Sequence, residues 1–144
     1  MITEAEANEK VSEDWFRAWL IFEALAINET VAKDALETLV KKLDNDNRVK
    51  IYKKSFGETK KVEKPIQNVD IGYSVTCEIN LISKKFDNLA QIAIEYGPSA
   101  IEILEPEKFD LSVGEAQSIL NSISQMMHRL AASGAGGIVF MKGE

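Results

Sequence analysis

The sequence predicts an α+β fold, built as a two-layer sandwich with helices on one side of a sheet. From Ile71 to Leu81, odd positions are apolar and even positions are small or polar, which is typical of a strand with one buried face. A helical pattern over 86–96 ends at Gly97 and Pro98, and a short strand follows over 99–105. Since only one face of the long strand is apolar, we expect helices on one side only.

The N-terminal part is expected to form a helical subunit over 1–46, followed by the α/β sandwich over 47–144 in the same single domain. Residues 1–10 are acidic and lack periodicity, so a frayed start is expected. Ser12 is the predicted N-cap of a helix that runs to Ala26. Because that helix is apolar nearly all round, it must be covered on several sides, either by its own domain or by another chain.

A second helix is predicted after an N-cap at Asn28 or Thr30, with one apolar stripe and a turn over 44–47. A β-hairpin should then follow, with strands over 49–56 and 59–64 and a reversal at Gly57. Pro65 is expected to end the second strand, and a linker leads into the long strand.

The second half is predicted as a β-α-β-α unit. A strand, a helix and a strand within one short stretch indicate a crossover, so the strands of 71–81 and 99–105 should be parallel and joined right-handedly. The last helix begins with a capping box, Ser112 to Glu115. Its apolar residues are spaced by three and four and are expected to pack on the sheet: Val113, Ala116, Leu120, Ile123, Met127 and Leu130. Residues 134–137 should stop this helix, and 138–141 could form a closing strand.

Composition excludes several classes of site. The single cysteine, Cys77, lies on the apolar face of the long strand, so no internal disulfide and no multi-cysteine metal site is expected. His128 is the only histidine, and no motif joins it to a nucleophile. We therefore expect no catalytic residues, no cofactor and no metal, and the chain is predicted not to be an enzyme.

The net charge of −6 argues against a protein that coats nucleic acid over its whole surface. The acidic N-terminus lacks the pattern of a signal peptide, so a cytoplasmic location is expected. The apolar run over 15–27 contains Arg17 and Glu23 and is too short to span a bilayer, so no membrane contact is expected.

The predicted hairpin is basic. Residues 48–64 contain seven lysines or arginines and two glutamates, a local charge of +5 within an acidic protein. Two helices followed by a lysine-bearing hairpin are typical of a winged-helix layout, although the third helix is missing. The lysines could also protect an edge strand against aggregation, or meet an acidic partner. The candidate contact residues are Lys50, Lys53, Lys54, Lys60 and Lys61.

One face of the last helix carries polar residues without charge. Because interfaces are depleted in charged residues, this face and the apolar first helix predict a homo-oligomer. The candidate interface residues are Trp15, Trp19, Phe22, Gln117, Asn121, Ser124 and Gln125.

Residues 92–106, which read Ile-Ala-Ile-Glu-Tyr-Gly-Pro-Ser-Ala-Ile-Glu-Ile-Leu-Glu-Pro, resemble the C-terminal extension that follows WYL domains in bacterial transcription regulators. The chain as a whole is similar to small uncharacterised archaeal proteins with a Tyr-Gly-Pro-Ser segment. Either resemblance implies a ferredoxin-like arrangement, in line with the strand–helix–strand pattern.

The sequence thus favours a non-enzymatic, self-associating module that serves as a binding or scaffold protein. The alternative is a nucleic-acid-associated transcriptional regulator that uses the basic hairpin. A small-molecule sensor is a second alternative, which only the WYL resemblance suggests.

Overall fold

The computed structural model of the protein describes residues 1–133. Over this range the chain forms four helices and five strands, and the strands make one antiparallel sheet. The α+β class is therefore confirmed. The elements are α1 (Glu4–Ser12), β1 (Phe16–Ala26), α2 (Glu29–Asp44), β2 (Lys50–Phe56), β3 (Lys60–Ile66), β4 (Val69–Ser83), α3 (Phe86–Tyr96), β5 (Ala100–Glu105) and α4 (Val113–Ala132).

The chain begins with a helix where a frayed start was predicted. Thr3 is the N-cap of α1, and its hydroxyl accepts a hydrogen bond from the backbone N–H of Glu6 at 3.1 Å. The Glu6 carboxylate accepts one from the backbone N–H of Thr3 at 2.7 Å. This reciprocal pair is a capping box, which stabilises the first turn. Ser12 is therefore the last residue of a helix and not the cap of one.

The predicted helix from Ser12 to Ala26 is wrong, because Phe16–Ala26 is strand β1. Its alternate residues Phe16, Ala18, Leu20 and Phe22 are buried in the core. The strand lies between β4 and β5 in the sheet. Its other face carries the half-buried side chains of Trp19 and Ile21, so apolar residues occur on both faces. A strand that is apolar on both faces lacks a visible period of two, and its sequence resembles a buried helix. The predicted helical subunit over 1–46 is therefore not formed.

The long strand is confirmed, and it is longer than predicted. Strand β4 pairs with β1 over the full length of β1, from Phe16 opposite Ser83 to Ala26 opposite Tyr73. The sheet order is β2-β4-β1-β5, with β3 also paired to β4. Both β4 and β5 run antiparallel to β1, so they are parallel to each other, as predicted. The sequence pattern did not indicate that β1 would lie between them.

The predicted hairpin over 49–64 is wrong, although both of its strands exist. Strands β2 and β3 pair with successive parts of the same edge of β4, and both run antiparallel to it. They therefore run in the same direction, and the chain continues past Gly57, whose N–H donates to the Thr76 carbonyl at 2.8 Å. The reversal lies between β3 and β4, where Asn68 has a φ of 70°. Pro65 lies within β3, and its missing N–H is tolerated because β3 is an edge strand.

One face of the sheet is covered by α2 and α3. The main core joins these two helices to β1, β2 and β4. Gly97 ends α3 in the left-handed conformation, with a φ of 60°, as its position before Pro98 predicted. The helical residues in this core are Ala32, Leu36, Val40, Leu43, Leu89, Ile92 and Tyr96.

The opposite face of the sheet is open except at one end, where α1 packs. Ala7 of α1 is buried with Tyr52 and Ile82 in a second, smaller cluster. Trp15 packs against this cluster from the side. The Arg17 guanidinium lies over the Tyr52 ring, 5.1 Å from its centroid, so α1 encloses a cation–π pair.

Helix α4 begins as predicted, because the Ser112 hydroxyl accepts a hydrogen bond from the Glu115 backbone N–H at 3.1 Å. It packs on α3 and not on the sheet, so the predicted packing of α4 is wrong. The predicted helix stop over 134–137 and the closing strand over 138–141 lie outside the described residues.

Candidate interaction surface

Helix α4 leaves part of its apolar surface exposed to solvent. We call Val113, Ala116, Leu120, Ile123, Met127 and Leu130 the α4 stripe. Three of its side chains are well exposed: Val113 by 86%, Leu120 by 60% and Ile123 by 41%. Amphipathic helices of monomeric proteins normally turn the apolar side inward. The other three side chains of the stripe, Ala116, Met127 and Leu130, are half-buried, so the stripe is only partly covered by its own domain.

The packing of α4 on α3 explains this orientation. The Ser118 hydroxyl donates to the Asp87 carboxylate at 3.5 Å, and the Gln91 amide donates to the Ser122 hydroxyl at 2.6 Å. Small hydroxyl side chains let the two helices approach closely, and their hydrogen bonds fix the rotation of α4 about its axis. Because Ser118 and Ser122 point to α3, Leu120 and Ile123 of the α4 stripe point outward, whereas Leu130 lines a cavity together with Ile94 and Glu95 of α3.

A second uncovered apolar area lies between α3 and β5, and we call it the β5 groove. Its cavity volume is about 490 Å³. On the strand side, Ile101 and Ile103 are 40% and 38% exposed, and all six residues of β5 are exposed. The outer edge of β5 pairs with no strand within residues 1–133. The groove is lined by Phe86, Leu89, Ala90, Ala93, Ile101, Glu102 and Ile103.

The predicted interface residues divide between two faces of the molecule. On α4, four of them are exposed: Gln117, Asn121, Ser124 and Gln125. Trp19 is half-buried on the open face of the sheet, where its indole N–H donates to Glu78 at 3.2 Å. Trp15 packs near α1 on that same face. Phe22 is only 2% exposed and lies in the core, so it is not available to another chain. The tryptophans therefore do not share a surface with α4.

The five candidate lysines are all exposed, along the edge formed by β2 and β3. Their side chains project to both sides of the sheet. Lys53 pairs with Asn80 and Lys60 with Ser74, which places both on the open face. Lys54 and Lys61 pair with Ile79 and Tyr73 and lie on the helix side. Lys50, at the start of β2, lies beside the end of the sheet that α1 covers.

The open face of the sheet carries a shallow polar cleft of about 320 Å³. Trp19 and Lys53 line it together with Ser55, Glu78 and Asn80. Glu23 on the same face accepts a hydrogen bond from the Ser74 hydroxyl at 3.0 Å. The carboxylates on this face offset its lysines, so it is not a strongly basic surface.

An ion-pair cluster joins the turn after α2 to the end of α3. The Arg48 guanidinium donates to Asp46 at 2.7 Å and to Glu95 at 2.6 Å. These hydrogen bonds hold the pKa of Asp46 far below its usual range and lower that of Glu95. Burial, together with the hydrogen bond that Tyr96 donates to Asp46 at 2.9 Å, raises the pKa of Tyr96 to about 12. All the charged groups are paired, so the cluster is structural.

Cys77 and His128, the single cysteine and the single histidine of the chain, lie in different parts of the described structure. Cys77 is fully buried in the core, and burial raises the pKa of its thiol. His128 lies on the exposed side of α4. Among residues 1–133, no three His, Cys, Asp or Glu side chains lie close enough together to hold a metal ion.

The sequence contained the signal for the α4 stripe, because the spacing of three and four was visible. The sequence could not show whether the stripe would face the protein or solvent, since that depends on the long-range hydrogen bond between Ser122 and Gln91. The β5 groove had a weaker signal. The alternation of Ile101 and Ile103 indicated a strand, but not that its apolar face would be left uncovered.

None of the helices formed by residues 1–133 is both long enough and apolar enough to cross a membrane.

Comparison with known proteins gives one match, to a protein family. No curated protein and no solved structure matches the chain. The MJ0538 family matches residues 17–140, which is most of the chain and includes nearly all of every strand. The resemblance of residues 92–106 to WYL-domain regulators is not shown by this match, and the family's name states no activity. The chain belongs to the MJ0538 family.

Proposed function

We propose that the protein is a non-enzymatic module that self-associates and serves as a binding or scaffold protein. The observation that carries this proposal is the orientation of α4, which leaves Val113, Leu120 and Ile123 exposed to solvent while Ser118 and Ser122 face its own domain. A helix with this orientation gains stability when another chain covers it.

The size of the apolar surface supports a weak to moderate association. Covering a large, half-exposed aliphatic side chain stabilises a complex by roughly 1–2 kcal/mol. The six exposed side chains of two copies, Val113, Leu120 and Ile123 from each, therefore contribute roughly 6–12 kcal/mol, which is similar to the cost of about 4–15 kcal/mol for bringing two chains together. A dissociation constant in the micromolar range needs a net gain of about 8 kcal/mol, so we expect the rest of the α4 stripe and the β5 groove to be covered as well.

The residues around the stripe also favour contact with protein. Gln117 and Ser124 flank it without charge, so no ion has to be desolvated when the surface is covered. Lys and Glu are the usual residues on a solvated helix face, and they are missing from this side of α4.

Sedimentation velocity on the unmodified protein and two variants tests the proposal. Leu120→Asp places a charge on the stripe and should convert the protein to monomers over the micromolar range. Val31→Asp is the matched control, since Val31 is 50% exposed on α2, away from α4. It should sediment like the unmodified protein. If Leu120→Asp leaves the sedimentation unchanged, or if the unmodified protein is already monomeric, self-association through α4 is excluded.

We further infer a ferredoxin-like arrangement of the sheet and its two covering helices. Its support is the strand order β2-β4-β1-β5, with α2 between β1 and β2 in the chain and α3 between β4 and β5. In this arrangement β3 extends the edge of the sheet beyond β2, and α1 and α4 are additions.

A second candidate function is contact with nucleic acid through the β2–β3 edge. The observation that favours it is the exposure of all five lysines along one continuous edge, in a protein of net charge −6. Against it stand Glu78 and Glu23 on the open face. The lysines would contact phosphates, so binding should weaken steeply as salt is raised.

Changing Lys53, Lys54, Lys60 and Lys61 to Ala together tests this candidate. Retention on single-stranded DNA and RNA should fall, and the slope of log affinity against log salt should flatten by about 0.7 for each phosphate that the variant no longer neutralises. Double variants at Lys53 and Lys60 or at Lys54 and Lys61 identify the face involved. Changing Lys33 and Lys41 of α2 is the control. Equal retention for all variants, or no retention by the unmodified protein, would remove this candidate.

A further inference from the structure

We infer that the partner of the α4 stripe is the α4 stripe of a second copy, packed antiparallel about a two-fold axis. This inference rests on the proposed function, because it specifies the geometry of the self-association proposed there. The order of the side chains along α4 and the charges at the two ends of the helix support it.

The stripe has the spacing of a coiled-coil seam. Its residues follow each other at intervals of three, four, three, four and three, so they alternate between the two core positions of a heptad. A seam of this kind is complementary to another helix, since each side chain fits between four residues of the partner. Within residues 1–133, α3 is the helix that packs along α4, and it contacts the side with Ser118 and Ser122.

The sizes of the side chains favour the antiparallel orientation. In an antiparallel pair centred between Leu120 and Ile123, Leu120 of one copy faces Ile123 of the other. The small Ala116 then faces the large Met127 of the second copy, and Val113 faces Leu130. Every layer thus contains at least one large side chain. In a parallel pair, Ala116 would face Ala116, which leaves one underfilled layer between layers of large side chains.

The charges of the helix ends favour the same orientation. The first turn of α4 carries Glu115 and the last turn carries Arg129. Antiparallel packing brings unlike ends together and also opposes the two helix dipoles, whereas parallel packing brings like ends together. Uncharged Gln117 and Ser124 flank the seam, so no charged residue beside it opposes this arrangement.

Cysteine cross-linking tests the orientation in the full-length chain. The only native cysteine, Cys77, is fully buried, so an introduced cysteine is the one that reacts. Val113→Cys and Leu130→Cys are prepared separately and oxidised with oxidised glutathione, alone and mixed. In the antiparallel pair, residues 113 and 130 of different copies meet, but two residues 113 lie about 26 Å apart along the axis. A disulfide needs Cα atoms within about 7 Å.

We expect the linked dimer in the mixture and not in either variant alone. Links in each variant alone would show a parallel pair, which overturns this inference but leaves self-association standing. Unlinked dimers in all samples would place the contact elsewhere and also overturn it. Glu37→Cys, on the exposed side of α2, is the control for random collision and should not link.

Spin labels on the Val113→Cys variant give a second readout that does not depend on the folding of the Leu130 variant. Val113 is highly exposed, so a label there should not disturb the fold. Pulsed dipolar spectroscopy should give one distance of about 26 Å or somewhat more between the two labels. A much shorter distance would show the parallel pair, and no dipolar signal with a monomeric mass would refute the proposed function itself.

Discussion

At the scale of single residues, Arg48 joins two parts of the chain that are distant in sequence. The turn over 44–47 was predicted from its Asp and Asn residues, and the structure places Asp46 there in a bond to Arg48. The hydrogen bond of Arg48 to Glu95 could not be predicted, because it spans 47 residues and depends on how α3 lies on the sheet. Local hydrogen bonds are visible in a sequence, whereas pairs of this kind follow only from the tertiary structure.

The cluster predicts how stability depends on pH. Arg48 lowers the pKa of Asp46 and Glu95 in the folded state, so the unfolded chain binds protons more readily than the folded one. The stabilisation is therefore complete above the unfolded pKa of about 4 and decreases as the pH falls through the folded values. Arg48→Met should lower the free energy of unfolding by about 1–3 kcal/mol at pH 7, and by less at pH 3.

Urea denaturation at several pH values measures this difference. Lys53→Met is the matched control, because it removes a positive charge from an exposed position outside the cluster. It should change stability little at any pH. A difference between Arg48→Met and the unmodified protein that stays constant from pH 7 to pH 3 would contradict the role assigned to Arg48.

At the scale of elements, prediction of helix or strand succeeded where one face of an element is apolar and the other polar, and it failed for β1, which is apolar on both faces. Strand β4 was found from its alternation, and α2 and α3 from their single apolar stripes. Strand β1 was mistaken for a helix because Trp19 and Ile21 add apolar side chains to its second face. The chain reversal predicted at Gly57 is wrong for another reason. Strand β4 is longer than predicted, so β2 and β3 can pair one after the other with the same edge of it.

The end of α3 gives a test at this scale. Gly97 has a φ of 60°, which is strained for any residue with a Cβ atom. Gly97→Ala should destabilise the protein by about 1 kcal/mol, although no atom lies within 4 Å of the added methyl group. Gly114→Ala is the control, because Gly114 lies in the first turn of α4, where alanine should be neutral or stabilising. Thermal unfolding of both variants measures the contrast, and equal melting temperatures would contradict the assigned backbone strain.

At the scale of the whole molecule, the sheet has two unlike edges. The β2–β3 edge carries lysines, which discourage pairing with another strand. The β5 edge is short and lies beside the apolar β5 groove. The two features that favour association, the α4 stripe and the β5 groove, therefore belong to the C-terminal half of the chain.

Part of this surface could be predicted from the sequence. The exposed positions of Gln117, Asn121, Ser124 and Gln125 followed from the helical period alone. The apolar residues beside them were expected to be buried, because an apolar stripe normally packs on its own domain. Only the packing of α4 on α3 shows that the stripe faces outward, and this long-range arrangement has no local signature.

The mass of the unmodified protein in solution is the most direct test of the central claim. Static light scattering behind size exclusion, over a dilution series through the micromolar range, should give about twice the chain mass of 16.0 kDa at the highest concentrations and approach that mass on dilution. A mass of one chain at every concentration would contradict the claim that a second copy covers α4.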